Sequence, residues 1–271
     1  MAARGRESCG PHKPRLICGE FASRVVASLA LYGPQRAPQL GRSTSAIDVT
    51  VYDEEMAPLI DRGIVTQTRV AQSRYPRETR AYALNRAHPA FRQIAAFARA
   101  YAPLDPPRVP PSPRLRGIDF PHAWSPTAAA RSFFGGATAT GILLMVCGCE
   151  EISMTALADN LPFNDRIRIR RAVLTWEQHG VLRTVKRLRQ TVISVNPSWV
   201  AATELIALCR GLIRHINPEF YARVERAKAH DRSQRLDDPN AEPLRARRNA
   251  SFPIRRTTTS IRRTTQKIRR T

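Results

Sequence analysis

The chain carries an internal repeat, and that repeat limits the folds open to it more than any other feature. Shifting the sequence by 117 residues lays residues 16–19 (LICG) over residues 133–136 (FFGG). The same shift lays Val25, Val26 and Leu29 over Ile142, Leu143 and Val146, and Leu40 over Leu157. It also matches Asp48 with Asp165, Met56 with Val173, Leu59 with Trp176, Gly63 with Gly180 and Ile64 with Val181. One offset therefore holds across about fifty residues without a gap. Beyond it the second copy is shorter, because Leu84-Asn85 matches Val195-Asn196 at an offset of 111. The missing six residues fall between two alternating apolar stretches, where a hairpin loop is expected.

Each copy reads in the same order. A first helix carries Val25, Val26, Leu29 and Ala30 at helical spacing, or Ile142, Leu143, Val146 and Cys147. A short second helix follows at 37–40 or 154–160. Asp48 or Asp165 then stands as an N-cap, its carboxylate placed to accept from orphan helix N–H groups. The third helix ends at Gly63 or Gly180, a residue type that takes a left-handed conformation without strain. Two-stranded hairpins are expected at 64–70 with 80–84 and at 181–185 with 191–195. A closing amphipathic helix spans 90–101, with Phe91, Ile94, Phe97 and Tyr101 on one face, and 199–216 in the second copy.

The stretch VVASLALYGPQRAPQLGR…MAPLIDRGIVTQTR…YALNRAHPAFRQI resembles the ArsR/MarR-type winged-helix regulators, as does FFGGATATGILLMV…LADNLPFNDRIRIRRAVLTWEQHGVL…VISVNPSW. The resemblance covers about residues 16–101 and 133–216. It implies a mainly α fold with small β-hairpins, arranged as two tandem winged helix-turn-helix domains, and it implies transcriptional regulation through DNA in a prokaryotic cell. The second copy keeps an Asn-Pro that the first has lost. Pro58 departs from the pattern: inside the first recognition helix it removes the bond to the Glu54 carbonyl and is expected to kink the helix.

On this reading residues 1–15 are a basic flexible N-terminus, 16–101 and 131–228 the two domains, and 102–130 a linker. The linker holds eight prolines between residues 102 and 126, a composition that favours stiff extended chain over a packed element. Residues 229–271 form a disordered basic tail, ending in the seven-residue repeat IRRTTTS, IRRTTQK, IRRT. One Ile per seven leaves no second apolar seam position, so this is no coiled coil. Two readings of it stand: a short-period expansion of the coding DNA, or a basic arm adding phosphate contacts.

Lys and Arg outnumber Asp and Glu by 44 to 22, a formal charge of +22, which favours a polyanionic partner. Removing the tail's seven positives still leaves +15, so the basic character is not confined to the tail. Only Lys13, Lys186, Lys228 and Lys267 are lysines; the remaining cations are Arg, whose planar fork suits phosphates and guanine edges. A GC-rich coding bias accounts equally well for the choice of Arg, but not for the excess of cations. No apolar run approaches the length of a membrane span. The N-terminus lacks the apolar segment of a secretory signal. Five cysteines without framework spacing suit a reducing cytoplasm, so a cytoplasmic, nucleoid-associated protein is expected.

A helix-turn-helix sets the start of its third helix against base edges. In the second copy that start offers Arg166, Arg168, Arg170 and Arg171, with Ile167 and Val173 expected to face inward. In the first copy it offers Ser43, Thr44, Ser45, Thr50 and Tyr52, followed by Asp53, Glu54 and Glu55, which repel phosphate. Arg69, Arg74, Arg77 and Arg80 surround the first hairpin, and Arg183, Lys186, Arg187 and Arg189 the second. Such wing cations reach phosphates or the minor groove. The first copy is accordingly expected to bind DNA less strongly.

Signatures of catalysis are weak: there is no Walker-type loop, GxSxG, HExxH or paired CxxC. No enzyme activity, cofactor or metal is expected. Cys147 and Cys149 read as small buried hydrophobes in preference to a thiol sensor. The partner is double-stranded DNA, read by two linked copies that replace, or are doubled in, a homodimer; no membrane partner is expected. The alternatives are a plasmid replication initiator with tandem winged helices and a winged-helix subunit that binds protein in chromosome organisation.

Overall fold

Apolar side chains three and four residues apart set the first helix, α1 (Glu20–Tyr32), in which Ala22, Val25, Val26 and Leu29 are all buried. The structure is a computed structural model describing residues 16–18, 20–44, 56–72, 75–106, 115, 117–124, 133–162, 165–187, 190–215 and 218–236. After α1 come β1 (Gln35–Arg36), α2 (Ala37–Thr44), a helical segment α3 at residues 56–61, the strands β2 (Val65–Gln72) and β3 (Tyr75–Leu84), and α4 (Phe91–Tyr101). The order then recurs as α5 (Ala137–Cys149), β4 (Glu151–Ser153), α6 (Met154–Asn160), α7 (Arg166–Gln178), β5 (Leu182–Arg187), β6 (Gln190–Val195) and α8 (Ala202–His215). A further helix, α9 (Pro218–Leu236), follows. The fold is thus mixed, mainly helical, with two small antiparallel sheets.

The sheets have three strands each, ordered β1-β3-β2 and β4-β6-β5, where the sequence suggests two-stranded hairpins. The extra strands pair only Gln35 and Arg36 with Tyr82 and Ala81, and Glu151–Ser153 with Ser194, Ile193 and Val192. Two or three residues are too short to show a period of two. Helix α2 likewise runs past Leu40 to Thr44. Helix α9 continues through residues 229–236, where the sequence suggests a disordered tail; its polar composition hides it. Val224 and Ala227 are nevertheless buried, and Val224 lies so close to Gly148 of α5 that a Cβ there would meet its methyls at 2.8 and 2.9 Å. The chain divides into two compact units, Met1–Asp231 and Arg232–Thr271. The N-terminal 15 residues and residues 237–271 lie outside the described residues.

The repeat is legible in the backbone. Cys18 (φ 56°) and Gly135 (φ 81°), Gly33 (80°) and Glu150 (69°), and Gly63 (63°) and Gly180 (70°) take positive φ in pairs 117 residues apart. Hydrogen bonds recur at the same offset. Ile17 N donates to Ser23 Oγ at 2.8 Å, and Phe134 N to Thr140 Oγ1 at 2.9 Å. Ile64 N donates to the Leu59 carbonyl at 2.9 Å, and Val181 N to the Trp176 carbonyl at 3.0 Å. After each hairpin an Asn closes the ladder: Asn85 N bonds Ile64 O and Asn196 N bonds Val181 O, both at 2.9 Å.

One apolar cluster runs through both halves. Its joint is α4 against α8, centred on Phe97, which is fully buried. The Phe97 ring meets Tyr101 at 5.0 Å, Phe134 at 6.5 Å and Trp199 at 6.1 Å between centroids, drawing aromatic rings from both copies. The Cys18 N–H also donates to the Phe133 carbonyl at 3.0 Å, tying the two starts together.

The described part of the proline-rich connection is packed rather than a bare spacer. Phe120 is buried with Ala81 and Ala83 on the outer face of the first sheet. The Pro121 carbonyl accepts from Thr66 Oγ1 at 2.7 Å and the Ala123 carbonyl from Asn85 Nδ2 at 2.7 Å. Trp124 lies 3.0 Å from where a Gly63 Cβ would stand, and its ring is edge-on to His88. Arg24 on α1 pairs with Asp105 at the start of the connection.

His88 is buried, accepts from the Ala90 N–H through Nδ1 at 3.1 Å, and burial lowers its pKa to about 4. The unfolded imidazole titrates near 6.5, so between those values the unfolded chain binds the extra proton and stability falls as pH falls. At pH 4.5 this costs about 2–3 kcal/mol relative to pH 7. His88→Asn, which keeps an acceptor, is expected to remove that part of the loss when urea midpoints are compared at the two pH values. Phe97→Ala is expected to cost about 3–5 kcal/mol and to lower one shared melting transition, not two, in calorimetry.

Candidate nucleic-acid interface

Helix α7 is amphipathic in an inverted sense: a narrow buried edge and a broad basic face. Ile169, Val173 and Trp176 recur at steps of four and three and are buried. Arg166, Ile167, Arg168, Arg170 and Arg171 are all exposed. The expectation that Ile167 faces inward is wrong by half a turn; Ile169 takes that place, and Ile167 is 67% exposed. Asp165 caps the helix as expected, accepting from Arg168 N at 2.9 Å. At the other end Gly180 N bonds the Glu177 carbonyl at 2.8 Å, and Gly180 has φ 70°. Arg166 pairs with Asp159 of α6 at 3.1 Å, an exposed contact of little stabilising value.

Glu177, which the sequence did not single out, fixes the hairpin against the helix. Its Oε1 accepts from Thr184 N at 3.1 Å and from Thr184 Oγ1 at 2.5 Å. Alternation along β5 puts Lys186 on the sheet face that Thr184 turns toward α7, and Arg183 on the opposite face. Both cations are exposed. Arg187 is engaged elsewhere: its guanidinium grips both carboxylate oxygens of Glu151 at 2.9 and 3.1 Å. Arg189 lies outside the described residues. The second copy thus leaves Arg166, Arg168, Arg170 and Arg171 exposed on one helix, and Lys186 exposed on the hairpin that Glu177 fixes to that helix's other end.

The first copy does not match it. Ser43 and Thr44, expected from sequence to contact DNA, are buried at 2% and 1% exposure. Ser43 Oγ is 3.0 Å from Ser28 Oγ and bonds the Leu40 carbonyl at 3.0 Å; Thr44 Oγ1 bonds the same carbonyl at 2.8 Å. Gln35 joins them, donating through Nε2 to Ser28 O and Oγ at 3.0 Å. These side chains lock α1, β1 and α2, so they are structural and not DNA contacts. Their polarity suggested the surface, but small hydroxyl residues satisfy themselves on helix carbonyls when buried. Ser45, Asp48, Thr50, Tyr52, the acidic run 53–55 and Arg74 lie outside the described residues. Residues 56–61 are helical through Pro58, whose carbonyl accepts from Arg62 N at 3.3 Å; the Glu54 carbonyl lies outside the described residues. Arg77 lies in β3 with its side chain outside the described atoms. Arg69, the counterpart of Lys186, is exposed and 3.6 Å from Glu78, and Arg80 is exposed. Thr66, the counterpart of Arg183, is buried and bonded to Pro121.

Among the described residues no group of three His, Cys, Asp or Glu side chains converges as a metal site requires, and no helix is long and apolar enough to cross a membrane. Cys147 and Cys209 are buried; burial and the neighbouring Cys147 thiol push the Cys209 thiol upward, away from thiolate reactivity.

Asp165→Ala is expected to lower stability by about 1 kcal/mol in thermal or urea unfolding, while Asp165→Asn, which keeps an accepting oxygen, leaves it nearly unchanged. No protein-family model, curated protein or solved structure matches the chain.

Proposed function

We propose that the protein is a DNA-binding transcriptional regulator built from two tandem winged helices, with α7 as the reading helix of the second and the β5–β6 hairpin as its wing. The observation that carries this reading is the exposed face of α7. Arg168, Arg170 and Arg171 stand there with Arg166, and the adjacent acids among the described residues are Asp165, used as the cap, and Asp159, paired to Arg166. A short helix, α6, precedes it and a hairpin fixed by Glu177 follows, the order a winged helix uses to enter a major groove. The formal charge of +22 supports a polyanionic partner.

On this reading the arginines of α7 supply guanine and phosphate contacts, and Lys186 and Arg183 hold the flanking backbone. The first half supplies the frame: its α4 packs against α8, and Ser43 and Thr44 are committed to its interior.

Arg168→Ala with Arg170→Ala is expected to weaken binding to a site selected from random duplex by about 1–3 kcal/mol for each base that the missing guanidinium had bonded. Both side chains are exposed, so the variant should melt like the parent. The check is an electrophoretic titration at fixed salt. Unchanged affinity for the selected site removes α7 from the reading role.

A further inference from the structure

Helix geometry gives α7 an outermost line that is not wholly basic. At 3.6 residues per turn, Ile167 lies about 160° around the axis from buried Ile169, Arg171 about 160° the other way, and Leu174 about 140°. Ile167 is 67% exposed and Leu174 45% exposed. Ile167 is the most exposed large hydrophobic side chain among the described residues. It occupies the second position of the helix, and helical side chains lean toward the N-terminus, so it stands at the leading end of the face. Arg166, Arg168, Arg170 and Arg171 surround it in sequence, all of them exposed.

Charge decides the occupant. An apolar protein surface pressed on Ile167 and Leu174 would have to desolvate the flanking guanidiniums without carboxylates to receive them. A B-form duplex meets both demands together, because phosphates and guanine edges accept from Arg while the thymine 5-methyl is the one apolar group on the major-groove floor.

We infer that Ile167 is a specificity-determining residue that packs on a thymine 5-methyl group in the major groove, between base or phosphate contacts made by the neighbouring arginines. The inference rests on the DNA-reading role proposed for α7 and adds to it a base identity. Arginine forks favour guanine and cannot tell thymine from uracil; a β-branched alkyl group can, because the two differ by the methyl alone.

The test uses the full chain and a duplex site selected by it from random sequence. Each thymine in the site is replaced in turn by uracil, and affinity is read by electrophoretic titration at constant salt. One position is expected to lose about fourfold, the worth of burying one methyl-sized group. In Ile167→Ala that replacement should change nothing, whereas Arg170→Ala should keep the fourfold response. Ile167 is exposed, so its substitution leaves the fold intact, which a melting curve checks. If no thymine responds, or if Ile167→Ala still responds, the thymine assignment is overturned while the DNA-reading role stands. If the parent retains no duplex even at low salt, both fall together.

Discussion

Everything else in the first unit depends on the apolar joint between α4 and α8. A helix–hairpin–helix module of this size leaves the outer face of its last helix apolar, and that face must be covered. Here each copy covers the other. Phe97 from the first stands among Tyr101, Phe134 and Trp199, and the core continues from one copy to the next without a break. Both partners of the joint lie on one chain, so their pairing does not depend on protein concentration.

Because the joint makes the two copies one body, they are free to differ elsewhere. The first sheet has its outer face covered by Phe120, while the side chains of Thr66 on β2 and of Asn85, just past β3, bond the Pro121 and Ala123 carbonyls. Asn85 and Asn196 show the change in a single atom pair. Asn196 Nδ2 donates to its own Gly180 carbonyl at 2.9 Å, whereas Asn85 Nδ2 is turned to Ala123 of the connecting strap. In the second copy the corresponding sheet position carries exposed Arg183, and α7 keeps its arginines outward. One copy has its outer sheet face covered by its own chain; the other leaves the corresponding position and the arginines of α7 exposed.

The helices and their ends were readable from sequence where an apolar step of three and four residues coincided with a cap. Asp165, Gly180 and Gly63 behave as their residue types dictate. The repeat was readable too, though its sharpest form lay in backbone angles: Glu150 takes the positive φ of Gly33, and Cys18 that of Gly135. No residue type announces those positions. What stayed hidden obeys no local rule. Strands of two or three residues show no period, the described side chains of α9 are mostly polar and exposed, with Val224 and Ala227 buried and Phe220 beside them, and the proline-rich strap is held by carbonyls that any sequence possesses. Ile167 and Ile169 differ in phase: the Arg-Ile-Arg-Ile alternation has a period of two, and only the helix's 3.6 decides which Ile is inside. Ser43 and Thr44 depart from the sequence reading in the opposite sense, as polar residues that satisfy themselves in the interior.

The measurement that meets the account most directly is guanine methylation interference on a duplex site selected by the full chain. Methyl groups on guanine N7 block major-groove contacts wherever a side chain reaches them. If α7 is the reading helix and the first copy its frame, interfering guanines fall in one major-groove segment shorter than a helical turn. Two segments of equal strength about 34 Å apart for each bound chain, counted from the stoichiometry of the complex, would show that both copies read DNA, and an absence of interference on a bound site would show that neither does.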